Sequence, residues 1–107
     1  MKAIIIEDEV AAANALQALI SEVEPEIEIS AILQSIDESV EWFQTSPRPD
    51  LVFMDIHLAD GSAFSIFEQV TISCPIIFTT AYDEFALKAF EVNSIDYILK
   101  PIDKREL

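Results

Sequence analysis

The residue types that form disulfides and zinc sites are nearly missing from the chain. Cys74 is the only cysteine among 107 residues, which excludes an intramolecular disulfide. We expect Cys74 to be a small buried thiol, because a nucleophilic thiol needs a positively charged and exposed setting. His57 is the only histidine, and without histidine or cysteine partners a zinc site is not expected.

Basic residues are also scarce. The chain has 6 lysines and arginines against 20 aspartates and glutamates, and its net charge is −14. A surplus of negative charge repels the phosphate backbone, so we expect this domain not to bind nucleic acid directly. Few lysines are available to neutralise any local cluster of carboxylates.

Long hydrophobic runs are absent as well. No run approaches the roughly 20 residues that span a bilayer, and the first apolar run is three isoleucines followed at once by acids, unlike a secretory signal. We therefore expect a cytoplasmic protein that makes no membrane contact. Half of the residues (51%) are hydrophobic, and 107 residues suit one domain with one core.

Short apolar runs alternate with amphipathic stretches along the chain. The apolar runs predict five strands, over residues 2–6, 27–33, 51–54, 75–80 and 96–100. The stretches between them predict four helices, over about 10–23, from 36 to before Pro47, from Ser62 to Val70, and over 83–91. Ser35 and Glu38 form a capping-box pattern before the second helix. Gly61, the only glycine, is expected to adopt a backbone conformation that other residues avoid.

This order predicts an α/β fold. A strand followed each time by a helix gives a five-stranded parallel sheet, with strand order 2-1-3-4-5 and helices on both faces. Residues 103–107 read as the first turn of a fifth helix that is largely missing from the chain.

Polar residues follow the predicted strands at their carboxyl ends, where ligands bind to sheets of this kind. They are Glu7, Asp8 and Glu9 after the first strand, Asp55 after the third, Thr79 and Thr80 at the end of the fourth, and Lys100 at the end of the fifth. Neighbouring carboxylates repel one another, and a hard divalent cation relieves that repulsion. Mg²⁺ prefers such oxygen ligands, although Ca²⁺ fits on ligand type alone.

A cation at this edge would let Asp55 act as a nucleophile toward a phosphoryl group. The cation, Lys100 and a threonine hydroxyl could each hold phosphoryl oxygens. The residues contain no Ser-His-Asp arrangement around His57. Two carboxylates acting on a sugar remain possible by residue type, but 107 residues leave little room for a sugar cleft.

Three stretches resemble a known family over essentially the whole chain. "IIIEDE", "LVFMDIHLADG" and "IIFTTAYDEFALKAFEVNSIDYILKPID" are similar to the receiver domain of two-component response regulators. The third stretch is most similar to the subfamily whose receiver precedes a LytTR-type DNA-binding domain (LytR/AlgR). The resemblance implies a flavodoxin-like receiver domain over 1–107, truncated at the start of the fifth helix, with a C-terminal LytTR domain in the native protein.

The resemblance also implies site residues. Asp55 corresponds to the phosphoacceptor, Lys100 to the phosphate-binding lysine, Thr80 to the switch hydroxyl and Tyr97 to the switch aromatic. The implied Mg²⁺ ligands are Asp55, Asp8, Glu7 acting through water, and the backbone carbonyl of His57. Many receivers have aspartate where Glu7 stands and proline where Ala59 stands, and the loop after Asp55 is shorter than in many of them.

The implied function is phosphoryl transfer from a sensor histidine kinase to Asp55. Phosphorylation would then switch formation of a homodimer through the face of helix 4, strand 5 and helix 5, and so control transcription by the DNA-binding domain. The resemblance implies no enzyme activity beyond self-phosphorylation and autodephosphorylation at Asp55.

Three alternatives belong to other classes. An interaction module could signal without phosphate. A phosphatase of the haloacid-dehalogenase type needs a second aspartate two residues after its nucleophile, where this chain has His57. A flavin-binding domain needs a phosphate-cradling loop rich in Gly, Ser or Thr after the first strand, and "EDEVAAAN" is acidic instead.

Overall fold

The computed structural model describes residues 1–80 and 94–99, with side chains up to residue 79. Its central sheet has five strands: β1 Lys2–Ile6, β2 Glu28–Leu33, β3 Leu51–Asp55, β4 Ile76–Thr80 and β5 Ser94–Leu99. All neighbouring pairs are parallel, and the order is β2-β1-β3-β4-β5. The predicted α/β fold and strand order are confirmed.

The helices within the described residues begin where the sequence predicts. They are α1 Val10–Val23, α2 Ile36–Thr45, and a 3₁₀ turn Ala63–Ser65 that continues into α3 Ile66–Gln69. The third helix is shorter than predicted, because Val70 is already extended and opens a run rich in β-branched residues that favours extended backbone. The predicted helix over 83–91 and the helical turn at 103–107 lie outside the described residues.

In β1 and β3, alternate residues face opposite sides of the sheet and enter two separate apolar clusters. In β1, Ile4 and Ile6 pack with α2 and α3, while Ala3 and Ile5 pack with α1. All four are completely buried. Burial on both faces explains why the strands read as continuous apolar runs, as parallel strands covered by helices on both sides do.

The side of the sheet that faces α2 and α3 holds the larger cluster. Its aromatic part is Phe64, Phe67 and Phe78, whose ring centroids lie 5.4 to 6.5 Å apart. Such tilted aromatic contacts add to the stabilisation from burial alone. These rings therefore pack the 3₁₀ turn and α3 against β4.

None of the helices in the described part of the chain is long and apolar enough to cross a membrane.

Candidate acidic metal site

The carboxylates of Glu7, Asp8 and Asp55 meet at the carboxyl ends of β1 and β3. One oxygen of each residue lies within 4.8 Å of an oxygen of the other two. These three residues are named the acidic cluster below. The structure thus brings together three of the four acids that the sequence places at this edge, without Glu9.

The register of the sheet explains why Glu7 and Asp55 meet. Ile6 of β1 pairs with Met54 of β3, so the residues that follow each of them are neighbours. Glu7 continues the alternation of Ala3 and Ile5, and Asp55 continues that of Leu51 and Phe53, all of which face α1. Because side chains alternate with a period of two, both carboxylates are directed to the same side of the sheet.

Two of the three acids are buried. Glu7 is 3% exposed and Asp55 is 6% exposed, while Asp8 is half-buried. Charges that are shielded from water repel one another more strongly than charges in bulk solvent. A cluster of this kind therefore favours a bound cation.

Backbone amides orient two of the carboxylates. The N–H of His57 donates to Asp55 Oδ1 at 3.3 Å, and the N–H of Glu9 donates to Glu7 Oε2 at 3.2 Å. Glu9 is the N-cap residue of α1, yet its own side chain makes no capping hydrogen bond. Capping of α1 by Glu9 therefore does not account for the acids after β1.

The donor set of the acidic cluster fits Mg²⁺. Every available ligand is an oxygen, which a hard cation prefers, and an octahedral Mg²⁺ ion separates its ligand oxygens by about 3 to 4 Å. The observed 4.8 Å limit is compatible with that spacing after a small movement, or with one ligand acting through water. The predicted fourth ligand, the carbonyl of His57, lies two residues after Asp55 in the chain.

The other predicted site residues lie on β4, on β5 and beyond them. Thr80 is the last residue of β4, next to Thr79, which pairs with Asp55. Thr80 thus occupies the same edge of the sheet. Tyr97 pairs with Phe78 in the middle of β5, and only the backbones of Thr80 and Tyr97 are described. Lys100 lies outside the described residues.

Residues 57–62 form a tight antiparallel hairpin directly after Asp55. His57 pairs with Ser62 and Leu58 with Gly61, so Ala59 and Asp60 make a two-residue turn. Gly61 has a φ of 137°, which confirms the backbone conformation predicted for the only glycine. We call this segment the hairpin.

Asp60 was not singled out in the sequence analysis. Its carboxylate accepts hydrogen bonds from the backbone N–H of Ile36 at 3.0 and 3.1 Å, and from that of Asp37 at 3.4 Å. These donors lie 24 and 23 residues away in the chain. No local pattern in the sequence could have indicated this contact.

The thiol of Cys74 is buried in the larger apolar cluster, as predicted. Burial raises the pKa of Cys74 above its ordinary value. Both observations fit a packing residue and not a nucleophile.

The chain matches the family described as "Response regulator receiver domain" over residues 3–107. It is 41% identical to the sensory transduction protein LytT of Enterococcus faecalis over 110 residues, which cover 100% of this chain and 45% of that protein. It is 34% identical to the transcriptional regulatory protein LytR of Staphylococcus aureus, covering 100% of this chain and 44% of that one. The chain thus spans less than half the length of these curated relatives.

A similar solved structure is the crystal structure of the response regulatory domain of protein mrkE from Klebsiella pneumoniae. Its TM-score is 0.87 at 31% sequence identity, and the match covers 99% of this chain and 88% of that one.

Proposed function

Because this chain belongs to the response regulator receiver domain family, we propose that Asp55 accepts a phosphoryl group with Mg²⁺ bound at the acidic cluster. The observation that carries the proposal is the meeting of three carboxylates at the carboxyl edge of the sheet, within 4.8 Å of one another. A strand-end aspartate in such a cluster lies beside the oxygen ligands that a hard cation prefers.

Asp55 and Asp8 would hold Mg²⁺ directly, together with the backbone carbonyl of His57, and Glu7 would act through water. When bound, the ion supplies positive charge that offsets the carboxylates and the phosphoryl oxygens. The burial of Glu7 and Asp55 supports a bound cation, because water solvates neither carboxylate well enough to offset the repulsion between them.

In the proposed reaction, an Asp55 carboxylate oxygen attacks the phosphorus of a phosphohistidine on a sensor histidine kinase. The new phosphorus–oxygen bond forms as the phosphorus–nitrogen bond breaks, and the leaving imidazole takes up a proton. The His57 N–H, which donates to Asp55 Oδ1, holds the carboxylate in a fixed orientation during the attack. Lys100 and Thr80 are the residues proposed to contact the phosphoryl oxygens.

Phosphorylation replaces the single negative charge of the Asp55 carboxylate with a phosphoryl group that carries about −1.5 to −2. We propose that Thr80 and Tyr97 respond to this charge and that the face of helix 4, strand 5 and helix 5 then forms a homodimer. The receiver would in this way control a DNA-binding domain outside this chain, since relatives of more than twice its length include a transcriptional regulatory protein. The domain itself would not contact nucleic acid, and we place the protein in the cytoplasm.

The activity is proposed to be limited to gain and loss of the phosphoryl group at Asp55, without turnover of an external substrate. The direct test is to incubate the 107-residue chain with Mg²⁺ and acetyl phosphate and to measure its intact mass. We expect one phosphoryl adduct on the wild-type chain, and none with Asp55→Asn or with excess EDTA. An exposed acid of α2 supplies the matched control: Asp37→Asn should gain the adduct normally.

A wild-type chain that gains no adduct, or an Asp55→Asn variant that gains as much, would overturn the proposal. The same preparations separate the proposal from a phosphate-independent interaction module. If beryllofluoride, which mimics the phosphorylated aspartate, leaves the oligomeric state and the amide spectrum of the chain unchanged, the module reading is favoured.

A further inference from the structure

The tip of the hairpin is bound to the N-terminus of α2. Both carboxylate oxygens of Asp60 lie within 3.1 Å of the Ile36 nitrogen, and Oδ2 also accepts from the N–H of Asp37. These hydrogen bonds join an anion to the positive end of a helix, which makes them stronger than neutral ones.

Two side chains accept hydrogen bonds from the backbone N–H groups in the first turn of α2. Ser35, the N-cap residue, accepts from the N–H of Glu38 at 3.1 Å, which confirms its half of the predicted capping box. Asp60 accepts from the two N–H groups before Glu38. Ser35 therefore caps the helix locally, whereas Asp60 connects the helix to a distant segment, and one residue can be substituted without removing the other contact.

The opposite end of the hairpin reaches the acidic cluster. His57, the first residue of the hairpin, donates its N–H to Asp55 Oδ1 and pairs with Ser62. At its base, Ala63 donates to the carbonyl of Ile56 at 2.7 Å. The segment from Asp55 to Asp60 is thus held by hydrogen bonds at Asp55, at Ile56 and at Asp60.

Packing supports the same contact. Gly61 lies so close to α2 that a Cβ built there would meet Ile36 Cδ1 at 3.4 Å, and Ile36 is buried. The hairpin backbone therefore rests directly on the first residue of the helix that Asp60 binds. This combination of a charge-assisted hydrogen bond and close packing fixes the hairpin from one side.

We propose that Asp60 is a positioning residue for the cation site: by binding the N-terminus of α2 it holds the hairpin so that the His57 main chain keeps the Asp55 carboxylate in its cation-binding geometry. The inference rests on the proposed function for the identity of the cation. It adds α2 as the support on which that geometry depends.

Titration of the 107-residue chain with Mg²⁺ by isothermal calorimetry tests the proposal. We expect Asp60→Ala to raise the Kd about 10-fold, the lower end of the range for lost partners of metal ligands. Asp60→Asn keeps an oxygen that can accept from Ile36 and should recover most of the affinity. Ser35→Ala, which weakens the same helix end without touching the hairpin, should leave the Kd within about 2-fold, as should Asp37→Asn, which removes one exposed charge.

Three results would overturn the proposal. An unchanged Kd in Asp60→Ala removes the positioning role. An equal loss in Ser35→Ala assigns the effect to helix stability, and an equal loss in Asp60→Asn assigns it to charge alone. These Mg²⁺ affinities are measured without phosphoryl transfer. If Asp55 is not phosphorylated but the variants show the expected changes in Kd, only the proposed function is contradicted.

Amide hydrogen exchange in the metal-free chain tests independently whether Asp60 holds the hairpin in place. Asp60→Ala should speed exchange at His57 and Ala63, whose N–H groups are bonded within and beside the hairpin, while Ser35→Ala should not. Unchanged exchange of the β1 and β3 amides will show that each variant is folded. Equal exchange at His57 and Ala63 in both variants would contradict the role of Asp60.

Discussion

Helices α1 and α2 begin at the same edge of the sheet, but their first turns are satisfied in opposite ways. The first turn of α2 carries two acidic residues, its N-cap Ser35 makes a capping hydrogen bond, and Asp60 binds it from the hairpin. The N-cap of α1, Glu9, makes no side-chain capping bond, and the first turn of α1 has no acidic residue. The acids next to α1 lie instead in the acidic cluster.

The difference shows how one kind of side chain serves two purposes. At α2, carboxylates and hydroxyls stabilise the helix end and the segment that rests on it. At α1, the carboxylates of Glu7 and Asp8 are held near Asp55, where their charges repel one another and where we propose that a cation binds. The side chains at the α2 end therefore cap a helix and hold the hairpin, whereas those at the α1 end form the proposed cation site.

The first residues of the two helices should give the largest contrast in stability. Ile36 is 6% exposed and Val10 is 56% exposed. We expect Ile36→Ala to lower the free energy of unfolding by about 2–4 kcal/mol, because it leaves a cavity in the larger cluster. Val10→Ala should change it by less than about 0.5 kcal/mol. Urea denaturation measures both, and similar losses would break the comparison.

Asp8→Asn should separate stability from metal binding at the α1 end. Loss of a proposed ligand should raise the Kd for Mg²⁺ by about 10-fold or more. The metal-free chain should become more stable, by up to about 1 kcal/mol, since one of three repelling charges is removed. Calorimetric titration and urea unfolding in EDTA test the two effects, and a loss of metal-free stability would contradict the repulsion argument.

Gly61→Ala tests the hairpin backbone that packs on the first residue of α2. A side chain at a φ of 137° is strained, and we expect a loss of about 1–3 kcal/mol in unfolding free energy. Gly61→Asn should not rescue it, because the left-handed conformation that asparagine tolerates lies near +57°. Full stability in Gly61→Asn would show that the hairpin can adopt another φ.

The two N-cap residues should give the smallest contrast. Ser35→Ala removes a capping bond and should cost about 1 kcal/mol, whereas Glu9→Ala removes none and should change stability by less than about 0.5 kcal/mol. Thermal unfolding of the metal-free variants measures both. A cost for Glu9→Ala as large as that for Ser35→Ala would mean that α1 is capped by Glu9 after all.

Much of the fold and of the acidic cluster could be predicted because the signals are local. Runs such as Leu51–Met54 show that a strand is buried on both faces, and Asp55 follows directly after one. Ser35 and Glu38 marked the start of α2 at the right residue. The burial of Glu7 was not predictable in the same way, since no residue pattern around it separates a buried strand-end acid from a solvated one.

The amino-acid sequence by itself determined the order of strands and helices, the acids at strand ends and the need for glycine at residue 61, because hydrophobic periodicity and backbone sterics act over a few neighbouring residues. Only the tertiary structure decided that Asp60 binds the amide of Ile36 and that Glu7 lies beside Asp55. Those contacts join residues 24 and 48 positions apart, and they form only when the register of the parallel sheet brings distant strand ends to one edge.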